Sequence, residues 1–174
     1  MCARLMVAGV LTAWVAACGY SIKATSDYDG QVDFSKYSTF FMMKGNSSGD
    51  SLMDAHLTSD VANTLISKGW IEVGEGEGHA AVIVHTATSA AHTYEDFYRG
   101  WGGWRWRWAG FNSQAKFVED YAVGTVVVTI FDADSKQAIW IGSAADAISD
   151  NPKKAAEIRE EAVARIFEKF PPAQ

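Results

Sequence analysis

Residues 18–174 are predicted to form one α+β domain, a two-layer sandwich in which a mainly antiparallel sheet carries two helices packed on one face. Three observations lead to that class. Short β-favouring runs bounded by turn residues recur along the chain. Only two stretches have helical periodicity, each with a single apolar face. The order is ββα, then strands, then α, and the length suits one core.

The elements follow in sequence. Residues 20–27 alternate apolar and polar side chains and read as a strand, with Asp27-Tyr28-Asp29-Gly30 as its turn. A second turn, Asp33-Phe34-Ser35-Lys36-Tyr37, leads into the short apolar strand Thr39-Phe40-Phe41-Met42-Met43. After the loop Gly45-Asn46-Ser47-Ser48-Gly49-Asp50, Ser51 is predicted to cap a helix, with Asp54 favouring its positive end. In that helix Leu57, Val61 and Leu65 repeat every fourth residue beside Ala62 and Ile66, and Lys68-Gly69 ends it. Residues 70–73 and 80–88 read as strands, separated by a loop built on Gly74, Gly76 and Gly78. Residues 94–117 carry neither helical period nor a turn-bounded strand. Residues 121–131 form a strand around Val126-Val127-Val128, and Asp132-Ala133-Asp134-Ser135-Lys136 turns it into a partner strand, 138–145. Asn151 caps the last helix with Pro152 at its first position; Ile158, Ala162, Val163, Ile166, Phe167 and Phe170 have helical spacing before Pro171-Pro172.

The first 17 residues have a different logic. Arg4 precedes the apolar or small-residue run 5–17, which ends in Val15-Ala16-Ala17-Cys18. A charge, a short apolar run and a small-residue cleavage site make a signal peptide, too short for a membrane-spanning helix. Val-Ala-Ala-Cys resembles the lipobox of bacterial lipoproteins. That resemblance implies cleavage before Cys18, lipidation of its thiol and, because Gly19 rather than Asp follows, a lipid anchor in the outer membrane with the domain facing the periplasm. Of the two cysteines, Cys2 leaves with the leader and Cys18 is consumed, so no disulfide or thiol chemistry is expected in residues 18–174. Of the 15 basic residues only Arg4 lies in the leader, so 14 oppose 21 acidic ones. Such a balance argues against a nucleic-acid partner.

Several landmarks combine into a second resemblance. Asp27-Tyr28-Asp29, the run Asp33 to Phe40, Lys68-Gly69-Trp70, Gly124-Thr125, Ile139-Trp140-Ile141-Gly142-Ser143-Ala144 and Phe170-Pro171-Pro172 resemble the bacterial lipoproteins of domain of unknown function 4136. The family implies location and fold; it brings no reaction, cofactor or catalytic residues. Physically, Tyr37, Phe40 and Trp140 are expected to fill the space between sheet and helices, and Asp33 and Ser35 to hold a turn.

Candidate chemistry is sparse. Gly45-Asn46-Ser47-Ser48-Gly49 satisfies Gly-x-Ser-x-Gly, but a nucleophile elbow needs a tight strand-to-helix turn and more parallel βα units than this chain holds. A small envelope hydrolase using Ser47, or the carboxylates Glu95 and Asp96, is the alternative to a non-enzymatic reading. His56, His79, His85 and His92 lack the spacing of a metal site, and no metal or cofactor is expected. Asp132-Ala133-Asp134 begins like a calcium loop, yet Gln137 stands where that loop requires glycine, and a hairpin turn is expected. Glu75 and Glu77 are read as keeping their loop solvated.

The most distinctive segment contains Arg99, Trp101, Trp104, Arg105, Trp106, Arg107 and Trp108, four of the chain's seven tryptophans with three arginines and no acid. If extended, it presents Trp104, Trp106 and Trp108 on one side and Arg105 and Arg107 on the other. Three readings stand: tryptophans folded over the sheet with arginines paired to acids, contact with lipid headgroups, or contact with peptidoglycan or an envelope protein. Oligomeric state is not legible.

Overall fold

The computed structural model describes residues 22–45, 48–87, 122–149 and 151–171. Six strands form one sheet: β1 (Lys23–Tyr28), β2 (Thr39–Met43), β3 (Ile71–Glu72), β4 (Ala80–Thr86), β5 (Val126–Asp132) and β6 (Ala138–Ala145). Their spatial order is β1-β6-β5-β4-β2-β3. The pairs β1–β6, β6–β5 and β5–β4 are antiparallel, whereas β2 lies parallel to both β4 and β3. The sheet is therefore mixed, with α1 (Ser51–Ser67) in the crossover that parallel neighbours require. Helix α2 (Pro152–Ile166) follows β6. The expected α+β sandwich is the observed one.

Local chemistry explains most boundaries. The cap of α1 is Asp50 rather than Ser51: the Asp50 carboxylate accepts from the Leu52 and Met53 N–H groups at 3.0 Å each, and Ser51 becomes the first helical residue. A carboxylate satisfies two orphan donors and also meets the positive helix end, which a serine hydroxyl at the next position does not match. Asp50→Ala should lower stability by about 1 kcal/mol, read as a lower urea midpoint at unchanged slope. At the other end Gly69 takes a φ of 92°, and the bonds Gly69 N–H to Ile66 O and Trp70 N–H to Leu65 O close a Schellman motif. That reversal delivers Trp70 directly into the core.

Asn151 caps α2 as expected, accepting from the Lys153 N–H, but the helix ends at Ile166 and Phe167–Phe170 continue as turns. Strand β1 runs to Tyr28, so Tyr28 is strand and not turn. Strand β5 begins only at Val126, because Gly124 sits at a φ of 85° in a turn. Between Ile130 and Phe131 the register with β6 slips, leaving Ile139 as an extra residue on β6.

Two apolar clusters flank the sheet. The larger joins Leu57, Val61 and Leu65 of α1, Ala162, Val163 and Ile166 of α2, and the strand residues Phe40, Val82, Val128 and Trp140. At its centre Trp140 stacks on Phe167 (centroids 5.0 Å) and meets Phe170 edge-on (5.2 Å), while Trp70 meets Phe170 at 5.4 Å. Gly142 makes this possible, since a Cβ there would stand 2.5 Å from the Trp140 ring and 2.7 Å from Ile166. The smaller cluster lies on the opposite face and draws on Phe41, Ala81, Ile83, Val127, Phe131 and Ile141. All seven residues of β4 are buried, the pattern of a strand covered on both faces.

Candidate functional site

The residues on which sequence chemistry rests fall in two groups. Cys18, Ser47, His92, Glu95, Asp96, Arg99, Trp101, Trp104, Arg105, Trp106, Arg107 and Trp108 lie outside the described residues. Within them, the three described histidines are separated by the fold. His79 is hydrogen-bonded through Nδ1 to Thr39 (3.1 Å), His85 is buried in β4, and His56 lies on α1. Among the described residues no three His, Cys, Asp or Glu side chains are grouped to hold a metal.

The acidic motifs are structural. Asp33 accepts from the Ser35 N–H and hydroxyl and so caps the short 3-10 turn Phe34–Lys36. Asp132 accepts from the Ser135 N–H and hydroxyl at 2.6 Å each, and from the Tyr37 hydroxyl at 2.8 Å. Desolvation raises the Asp132 pKa, but these hydrogen bonds outweigh it and hold the carboxyl below its usual range. The calcium-like start is thus a hairpin turn, tied by Tyr37 to the turn before β2. Phe40 and Trp140 are fully buried and Tyr37 partly so, which is the space-filling role expected of them.

A cleft of about 760 Å³ opens at one end of the sheet. The start of α1 contributes Asp50, Leu52, Met53 and His56, the strand ends contribute Ala87, Val123 and Gly124, and Ile148, Ala155 and Arg159 close the far wall. Hydrogen bonds knit its floor: Ala87 N–H to Thr125 O, Gly124 N–H to Ala87 O and Ala147 N–H to Gly124 O. Its polar groups already have structural tasks. Asp50 caps α1, the Ser48 hydroxyl exchanges bonds with the Asp50 backbone, and Arg159 Nε donates to Asp60 of α1. Arg159 is only 8% exposed although it interrupts the apolar face of α2, because that ion pair clamps the two helices. Sequence offered no signal for it: residues 60 and 159 belong to different helices. Apolar walls, Arg159 of the partly buried ion pair and His56 line the cleft.

The matched family is described as a domain of unknown function, DUF4136, and its match runs over residues 24–172; the chain belongs to this family. A crystal structure of a DUF4136 family protein from Bacteroides thetaiotaomicron VPI-5482 is similar, with 14% identity and a TM-score of 0.58 over 88% of this chain and 97% of that one. At that identity the likeness concerns the fold. The PelC dodecamer from Paraburkholderia phytofirmans matches with 8% identity and a TM-score of 0.49, over 88% of this chain and 99% of that one. A comparison with curated proteins finds no match.

Proposed function

We propose that the chain is the precursor of a lipoprotein anchored in the outer membrane by acyl chains on Cys18, whose single domain faces the periplasm as a non-enzymatic binding or structural module. The observation that carries this reading is the order of residues 1–19: one cation, an apolar run, Val15-Ala16-Ala17-Cys18, and Gly19 in place of an aspartate. Two or more acyl chains on one residue give stable anchoring where one chain is marginal. No helix among the described residues is long and apolar enough to cross a membrane.

The non-enzymatic part draws support from how the described polar groups are used. Asp33, Asp50 and Asp132 hold turns and caps, and Asp60 and Arg159 hold helices together. For the contact surface the sequence nominates Arg99, Trp101, Trp104, Arg105, Trp106, Arg107 and Trp108, toward lipid headgroups, peptidoglycan or an envelope protein. Growth with an alkyne-bearing fatty acid tests the anchor. The wild-type chain should take up the label and sediment with outer membranes, and Cys18→Ser should abolish both. Equal labelling of Cys18→Ser, or a wild-type chain without label, overturns the reading.

A further inference from the structure

We infer that the sheet end carrying Lys23, Ala145, Val126 and Thr86 faces the lipid surface, with Leu52 and Val123 in contact with it. The inference rests on lipidation of Cys18 and adds an orientation to it. Strand register supplies the first observation. Lys23 pairs with Ala145, and Ala24, Ala144, Val126 and Thr86 lie in one row across β1, β6, β5 and β4. At roughly 4.8 Å between neighbouring strands, that row spans about 15 Å. The start of β1 therefore stands at the same end of the sheet as the ends of β4 and β6 and the cleft between α1 and α2.

Tether length supplies the second. Three residues lie between Cys18 and Ile22, the first described residue, and the four fully extended steps from one to the other reach about 14 Å. Six residues of β1 place the opposite sheet end roughly 20 Å farther from the anchor. An acyl group in the bilayer thus holds this end of the domain at the headgroups.

The third observation is what the end presents. Leu52 is 66% exposed and Val123 58% exposed, and both line the same cleft. Leu52 lies off the buried stripe of Leu57, Val61 and Leu65, so packing in the core does not account for it. Exposed apolar side chains also occur at the far end, Ile71 at 61% among them, and the tether decides between the two. The described chain runs past the end of β4 to Ala87 and resumes at Ala122, just before the start of β5, so both junctions of residues 88–121 lie at the lipid-facing end.

The test uses the lipidated full chain in vesicles of phosphatidylethanolamine and phosphatidylglycerol, with a fluorophore on Leu52→Cys, Val123→Cys or Ile71→Cys. All three sites are exposed, and circular dichroism checks that each variant is folded. Headgroup-nitroxide lipids should quench probes at 52 and 123 at least about threefold more than at 71. Equal quenching at all three sites, or none at 52 and 123 in a chain whose Cys18 carries acyl label, overturns the orientation while leaving the anchor standing. A chain whose Cys18 takes no label overturns both.

Discussion

Trp140→Ala should lower the free energy of unfolding by about 4 kcal/mol, read from urea denaturation of the unlipidated domain. Trp140 is 1% exposed, stacks on Phe167 and meets Phe170 edge-on. Removing the indole takes away its burial and both ring contacts, and it opens a void over Gly142. The void cannot close easily, because β6 is held between β1 and β5. Phe167 and Phe170, joined through a 5.5 Å edge contact, lose the ring that orders them. Phe170 carries the effect further, since it touches Phe34 and Trp70 and its carbonyl accepts from Lys68 Nζ at 2.6 Å. Trp140→Phe should recover part of the loss. A cost below about 1 kcal/mol for Trp140→Ala would show that this aromatic cluster is not the centre of the core.

Acid should destabilise the domain well before its carboxylates titrate. His85 is buried in β4, and desolvation lowers its pKa from the usual 6.5 to about 3. The unfolded chain therefore binds a proton between these values that the folded chain refuses. By linkage, His85 contributes its stability in full above pH 6.5 and loses it as pH falls toward 3, by roughly 1.4 kcal/mol per unit. Over the whole window the loss amounts to several kcal/mol, an upper bound for a site that relaxes on protonation. Carboxylates complicate only the acid end: Asp33, through hydrogen bonds from Ser35, and Asp132 have lowered pKa values and lose stability below about 4, whereas desolvation raises the Asp27 pKa and opposes them. Between pH 6.5 and 4 the histidine's contribution falls while those of Asp33 and Asp132 persist, and the raised Asp27 pKa acts there with the opposite sign. His85→Leu should flatten the pH dependence of the urea midpoint there; an unchanged slope would place the proton uptake elsewhere.

Local chemistry was readable along the chain, and non-local pairing was not. The strands at Thr39–Met43 and Ala138–Ala145 were bounded by turn residues on both sides, and the observed limits match those expected. Asn151 and the Asp132 turn were legible for the same reason. The α1 cap was misplaced because Asp50 and Ser51 are both good cap residues, and only backbone geometry separates them. The start of β5 was set too early because a glycine in the left-handed region looks, in sequence, like any other glycine in a β-rich run. The bulge at Ile139, the parallel pairing of β2 with β4 and the Asp60–Arg159 clamp depend on residues far apart in the chain. Only register shows that Leu52 and Val123 lie at the same end of the sheet as the start of β1. In sequence they are two apolar residues among many.

The pairing of β1 with β6 also sets a timetable. The strand nearest the N-terminus finds its neighbour only when residues 138–145 are available, since Lys23 pairs with Ala145 and Tyr28 with Trp140. A ribosome adding roughly 5–20 residues per second needs on the order of ten seconds to bridge that gap. Throughout this interval β1 has no partner and Trp140 is absent from the core. A partly made chain therefore cannot close its sheet. Sheet closure becomes a completion check: a chain cut short before β6 would leave its first strand without the neighbour it pairs with.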